Sequence, residues 1–182
     1  MSELDDLLAA YGRHVRIPWD TGLAGPQKVW FAIYDPAQER RLRLRLDEFR
    51  QRTAEAGRGW RPVDVTDAFG RWMAGQEYRE EYFAEPEYLA DLMPTFSAFV
   101  AEEVRNAMHE DGANETVVAV LGVGALFGLV RVSTLMELVA PAIRGRLLVF
   151  FPGSYDGSNY RLLDARDGWN YLAVPITAAA RT

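Results

Sequence analysis

Three short apolar runs constrain this chain more than any other feature: VWFAIY at 29–34, TVVAVL at 116–121 and LLVFF at 147–151. Each is short for a buried helix, rich in β-branched or aromatic residues, and without the polar alternation of a strand that has one wet face. They read as strands covered on both sides. The first ends in Asp35-Pro36 and the second in Gly122-Val123-Gly124, and both lead into stretches of helical period. Strand and helix therefore alternate, which predicts an α/β fold: a mixed, mainly parallel sheet with helices on both faces. The tail adds two short runs around Asp167-Gly168, a candidate antiparallel hairpin.

Between these runs the helix signals are local. Ser2 is placed to cap a first helix striped by Leu4, Leu7, Leu8 and Tyr11. Asp35 caps the next, with Pro36 at its first position. RLRLRL taken alone resembles an edge strand, but Leu42, Leu46, Phe49, Thr53 and Ala56 continue a helical stripe until Gly57 and Gly59 stop it. RPVDVTD is a further short strand, with Thr66 or Asp67 capping a helix through Trp72. An acidic, aromatic segment follows, helical in pieces broken by Pro86 and Pro94, and then a helix from Thr95 to His109 closed by Gly112. A helix from Phe127 that ends near Pro141 precedes the last long strand. The chain, residues 1–182, reads as a single domain, with 1–27 an N-terminal helix and loop and 74–112 an acidic helical segment.

Composition removes several kinds of chemistry. There is no cysteine, which excludes disulfides, thiol nucleophiles and Cys-bearing zinc sites; His14 and His109 are the two histidines, too few for a multi-histidine centre. No metal and no cofactor are expected. The start lacks the basic and apolar regions of a signal peptide, and the longest uncharged run, 15 residues from Thr116, is too short to span a bilayer; a cytoplasmic protein with no membrane partner is the expectation. The net charge of −6 hides an asymmetry: seven arginines against four acids between Pro36 and Arg58, then eleven acids against Arg79 and Arg105 between Ala74 and Glu115. Duplex readers usually carry a basic domain, so direct nucleic-acid binding is disfavoured.

In such a sheet ligands gather at the carboxyl ends of the strands, where YDP, GVG and PGSYDG converge. GVGALFG has the spacing GxGxxxG rather than GxGxxG, and no acid ends the next strand to take a ribose. A Walker A loop is absent, since Lys28, the one lysine, is far from any suitable glycine loop. The fold thus has a nucleotide-binding-like topology without a phosphate loop. Ser154 follows Gly153 directly instead of sitting in GxSxG, and neither histidine is near it in sequence, which argues against a serine hydrolase. Pro152-Gly153 and Asp156-Gly157 suit two tight turns. Glu80-Glu81 and Glu102-Glu103 diverge around their helices and read as solvated faces. Arg131, among apolar residues, reads as a partly buried arginine with Asp35, Asp156 or a bound anion as its partner. No catalytic set emerges.

From about Lys28 to Ile176, and most densely over its last seventy residues, the sequence resembles the BrxB family of bacterial BREX phage-defence systems. The GVG strand end, the segment RVSTL and the block FFPGSYDG carry the likeness, and the earlier WFAIYDP is similar to the family's first strand. The motif falls on Asp35, Pro36, Gly122, Gly124, Arg131, Ser133, Thr134, Leu135, Pro152, Gly153, Tyr155 and Gly157. Val132 stands where many members have histidine, and Asn159-Tyr160 where they more often have an apolar residue.

The resemblance implies an accessory, non-catalytic binding or scaffold subunit for other BREX components, a PglZ-type protein foremost, with a homo-oligomer as a further possibility. The expected partner surfaces are the acidic segment with Tyr78, Tyr82, Phe83 and Tyr88, and the Arg-rich helix. The alternative is a small-molecule or nucleotide site. Its candidate residues, which serve equally as partner contacts, are Asp35, Gly122, Gly124, Arg131, Thr134, Pro152, Gly153, Tyr155, Asp156 and Gly157.

Overall fold

The computed structural model describes residues 2–166 and 168–178. Helices α1 (Glu3–Val15), α2 (Glu39–Leu44), α3 (Leu46–Glu55), α4 (Ala68–Ala74), α5 (Arg79–Ala84), α6 (Met93–His109) and α7 (Val132–Val139) surround strands β1 (Val29–Tyr34), β2 (Gly59–Asp64), β3 (Thr116–Leu121), β4 (Arg146–Asp156), β5 (Asn159–Leu162), β6 (Trp169–Asn170) and β7 (Val174–Ile176). The main sheet has the order β2-β3-β4-β1-β7, and every neighbouring pair in it is parallel. The second half of β4 pairs antiparallel with β5, and β5 with β6, so the sheet is mixed as expected.

Alternation along the strands divides the core in two. Phe31, Val118, Val149 and Phe151 face α4, α6, α7 and the β5–β6 hairpin, whereas Trp30, Ala32, Ala119, Leu148 and Phe150 face α1 and α3. Chain direction explains the division. From β1 the chain moves to the far edge strand β2 through α2 and α3; it then steps back through β3 to β4 by helices on the opposite face. A reversal of direction with right-handed crossovers requires that change of face. The edge strand β2 carries Pro62, a feature that discourages pairing with another chain.

Most sequence boundaries hold, and four shift for physical reasons. Ser2 forms a full capping box with Asp5. The Arg-rich stretch is helical but breaks at Arg45 into α2 and α3. Pro94 lies in the first turn of α6 rather than breaking it. The helix expected from Phe127 begins only at Val132, because Gly128 takes φ +78° and ends the preceding turn.

The fourth shift is the largest. Pro152-Gly153 forms no turn: β4 runs on through it, in register with Tyr34 at Pro152 and with Leu162 at Gly153. The β3 ladder has already ended at Val149, so the missing proline N–H forfeits nothing, and the Pro152 carbonyl accepts from Leu163 N–H at 2.8 Å. The turn lies at Gly157-Ser158, both with positive φ, as a two-residue hairpin of type I′ requires. The β5–β6 pairing realises the expected antiparallel hairpin, although Asp167 lies outside the described residues.

Candidate functional site

The carboxyl ends of β1 and β4 lie side by side, and their outgoing connections leave on opposite faces, which is where a doubly wound sheet opens a crevice. Here it is a shallow mouth of about 270 Å³ lined by Pro36, Arg43, Thr66, Gly122, Gly124 and Pro152. The structure therefore brings Gly122, Gly124 and Pro152 together, next to Asp35. Asp35 itself is exposed and its Oδ1 accepts from Ala37 N–H at 2.9 Å, capping the turn into α2.

A single arginine fills the polar side of this mouth. Arg43 donates from Nε to Glu39 Oε1, from Nη1 to Asp64 Oδ2 and from Nη2 to Thr66 Oγ1, each at 2.7 Å. Thr66 in turn donates from its hydroxyl to Asp64 Oδ1 at 2.5 Å, and the buried Tyr34 hydroxyl donates to Glu39. The effects on acidity agree with this. Hydrogen bonds to Asp64 and Glu39 hold the Arg43 guanidinium more basic than usual. Burial pushes the Asp64 carboxyl up, but bonds from Arg43 and Thr66 outweigh it and leave the carboxyl below its ordinary range. Burial, then the Glu39 acceptor, raises Tyr34.

The glycines serve the same packing. Gly122 has φ +83°, and a Cβ there would meet Thr66 N at 2.7 Å and Asp64 Oδ1 at 2.9 Å. Gly124 lies against Pro152, where a Cβ would sit 3.3 Å from the proline ring. Protein occupies the space that a phosphate takes in a glycine-rich loop, and two carboxylates stand beside it. This mouth can hold a loop in place; its chemistry does not favour an anion.

The other candidate residues lie elsewhere. Arg131 is an exposed N-cap of α7, with no ion pair among the described residues; the expected partly buried arginine with an Asp35 or Asp156 partner is not found there. Thr134 is half-buried in the first turn of α7. Gly153 and Asp156 pair with Leu162 and Asn159 in the β4–β5 hairpin, whose turn contains Gly157. Tyr155 packs on the core with its ring 4.7 Å from that of Tyr160. Tyr160 is fully buried and its hydroxyl donates to the Ala173 carbonyl at 2.7 Å. The ten candidates thus fall into a mouth, a helix start and a hairpin rather than one site.

The buried arginine is Arg146, 5% exposed at the start of β4. It donates to the carbonyls of Gly145 and Asp20 at 2.9 and 3.0 Å, and its guanidinium lies 5.0 Å from the Trp19 ring centroid. Arg58, paired with Glu115, covers the same ring at 4.1 Å. Burial, then the neighbouring Arg58, makes Arg146 easier to deprotonate than a free arginine.

Sequence reasoning missed Glu39, Arg43, Asp64 and Thr66. Glu39 and Arg43 were visible as a pair spaced i,i+4. Their convergence with Asp64-Val65-Thr66 depends on β2 crossing to the far edge, which no local pattern records.

Fold and mouth together define a doubly wound α/β domain whose switch point is closed by its own ion pairs. Residues 74–176 match the family described as BREX protein BrxB, and the chain belongs to that family. Family membership places it among the components of BREX phage-defence systems. No curated protein and no solved structure matched the chain. Among the described residues no helix is long and apolar enough to cross a membrane, and no cluster of three metal-ligating side chains occurs.

Proposed function

We propose that this protein is an accessory, non-catalytic BREX subunit of the cytoplasm that binds other components of the system, with a PglZ-type protein as its first partner. One observation carries the reading. Residues 77–91 hold six acids and one arginine, and among them Tyr78, Phe83 and Tyr88 are 54%, 65% and 54% exposed. Aromatic side chains are enriched at protein interfaces relative to the rest of the surface. The segment lies inside the stretch that matches the family.

The Arg-rich helices contribute less than their sequence suggests. Arg43, Arg45, Arg50 and Arg52 are each engaged with acids of this same chain. Arg40 and Arg41 are the arginines of these two helices outside an ion pair among the described residues. A ligand in the mouth is the lesser reading, because the polar groups there already bond one another.

Affinity capture from cells expressing a complete BREX system tests the proposal. The tagged chain is expected to retain a PglZ-type protein, and the variant Tyr78→Ser/Phe83→Ser/Tyr88→Ser to lose it. Recovery of the chain with no BREX component bound would overturn the reading.

A further inference from the structure

Beside α7 lies a second, larger depression of about 480 Å³, distinct from the mouth. Val130, Leu162 and Trp169 are apolar residues of its lining, and Phe127 stands at its side, 45% exposed. The charged residues that line it are Arg131 and Arg166, both exposed and neither in an ion pair among the described residues. No side chain caps α7, so the positive end of that helix adds to the same field. The groove is therefore mixed in its lining, with Trp169 and Phe127 as its apolar surface, and cationic in its charges.

Its complement is present on the chain. Residues 77–91 carry Glu77, Glu80, Glu81, Glu85, Glu87 and Asp91 around three exposed aromatic rings. The one basic residue there, Arg79, turns its guanidinium to the Ala74 carbonyl at 2.9 Å. An aromatic ring fills a depression at small conformational cost, and flanking carboxylates meet the guanidinium groups of Arg131 and Arg166.

We propose that the groove between α7 and the β5–β6 hairpin docks the acidic, aromatic segment of a second copy of this chain. The proposal rests on that segment being a docking element, as in the scaffold reading, but assigns it a homotypic partner. Charge complementarity selects the occupant: the groove offers cations with apolar surface, and residues 77–91 offer carboxylates with aromatic rings.

Sedimentation velocity of the full chain, from about 1 μM to about 1 mM, tests this. Concentration-dependent association is expected, weaker as salt rises. Arg131→Glu/Arg166→Glu and Glu80→Arg/Glu81→Arg are each expected to remain monomeric, and an equimolar mixture of the two to associate again. Circular dichroism establishes that each variant is folded. If a charge-reversed chain does not fold, Phe83→Ser carries the test, with an expected loss of about tenfold in association. A wild-type chain that stays monomeric throughout, association indifferent to both reversals, or a mixture that fails to recover would each overturn the proposal. A monomer whose groove instead captures another BREX protein would overturn it too, while leaving the scaffold reading in place.

Discussion

At the scale of the residue, the mouth turns on Gly122 and Arg43. Gly122 is left-handed at φ +83° and lies against the Thr66 backbone N and the Asp64 carboxylate, so a methyl group there is both strained and crowded. Gly122→Ala is expected to destabilise the fold by about 2–4 kcal/mol, summing left-handed strain and overpacking. Gly157, at φ +51° with open space where a Cβ would stand, separates the two effects. Gly157→Ala is expected to lose only about 1–2 kcal/mol. Urea unfolding of the two variants beside wild type measures the difference; equal losses would mean that contact with Thr66 and Asp64 contributes nothing. Gly122 was conspicuous in the sequence as part of GVG, but which neighbour it approaches was not, since Thr66 arrives from the opposite edge of the sheet.

At the scale of the element, the loop after α1 is latched to the amino ends of the strands by Trp19, Asp20 and Arg146, with His14 edge-on to Trp30 at 4.6 Å. Burial, reinforced by the charge of Arg146, holds the His14 imidazole below its usual pKa of about 6.5. Below that usual value the unfolded chain binds a proton that the folded chain resists, so stability is whole above about pH 6.5 and declines as pH falls toward the lowered folded value. Unfolding midpoints between pH 7.5 and 5.5 are expected to drop for wild type and to stay flatter for His14→Gln. Identical slopes would remove His14 from the account.

The elements also show which sequence signals could be read. VWFAIY and TVVAVL were legible as strands because burial on both faces leaves an unbroken apolar run. The length of β4 was not, because Pro152-Gly153 looks like a turn unless it is known that β3 has already left the ladder. The start of α7 was obscured for the opposite reason: the uncharged stretch from 116 to 130, apolar after Thr116, has no periodicity to mark where a helix begins. These two readings set Arg131 inside a helix and a turn at Pro152-Gly153, and so drew together residues that the structure keeps apart.

At the scale of the whole molecule, the region that matches the family does not contain the strand that holds it together. The match covers residues 74–176, whereas β1, at Val29–Tyr34, lies between β4 and β7 and pairs with both. Residues 74–176 expressed alone are therefore expected to lack a cooperative unfolding transition, with β4 and β7 left without a common neighbour. Supplying residues 1–73 in trans is expected to restore it if the halves can meet. A sharp thermal transition and dispersed amide spectrum from 74–176 alone would contradict this view of the sheet.

The same placement of β1 has a consequence during synthesis. Its six buried residues leave the ribosome early, yet the first strand able to pair with them, β4, follows only after about 110 further residues. At roughly 5–20 residues per second, that is several seconds or more in which an apolar strand waits with both edges open. Newborn chains of this protein should be ready clients for chaperones that shelter extended apolar segments, and slower or cooler expression should favour recovery of the folded form.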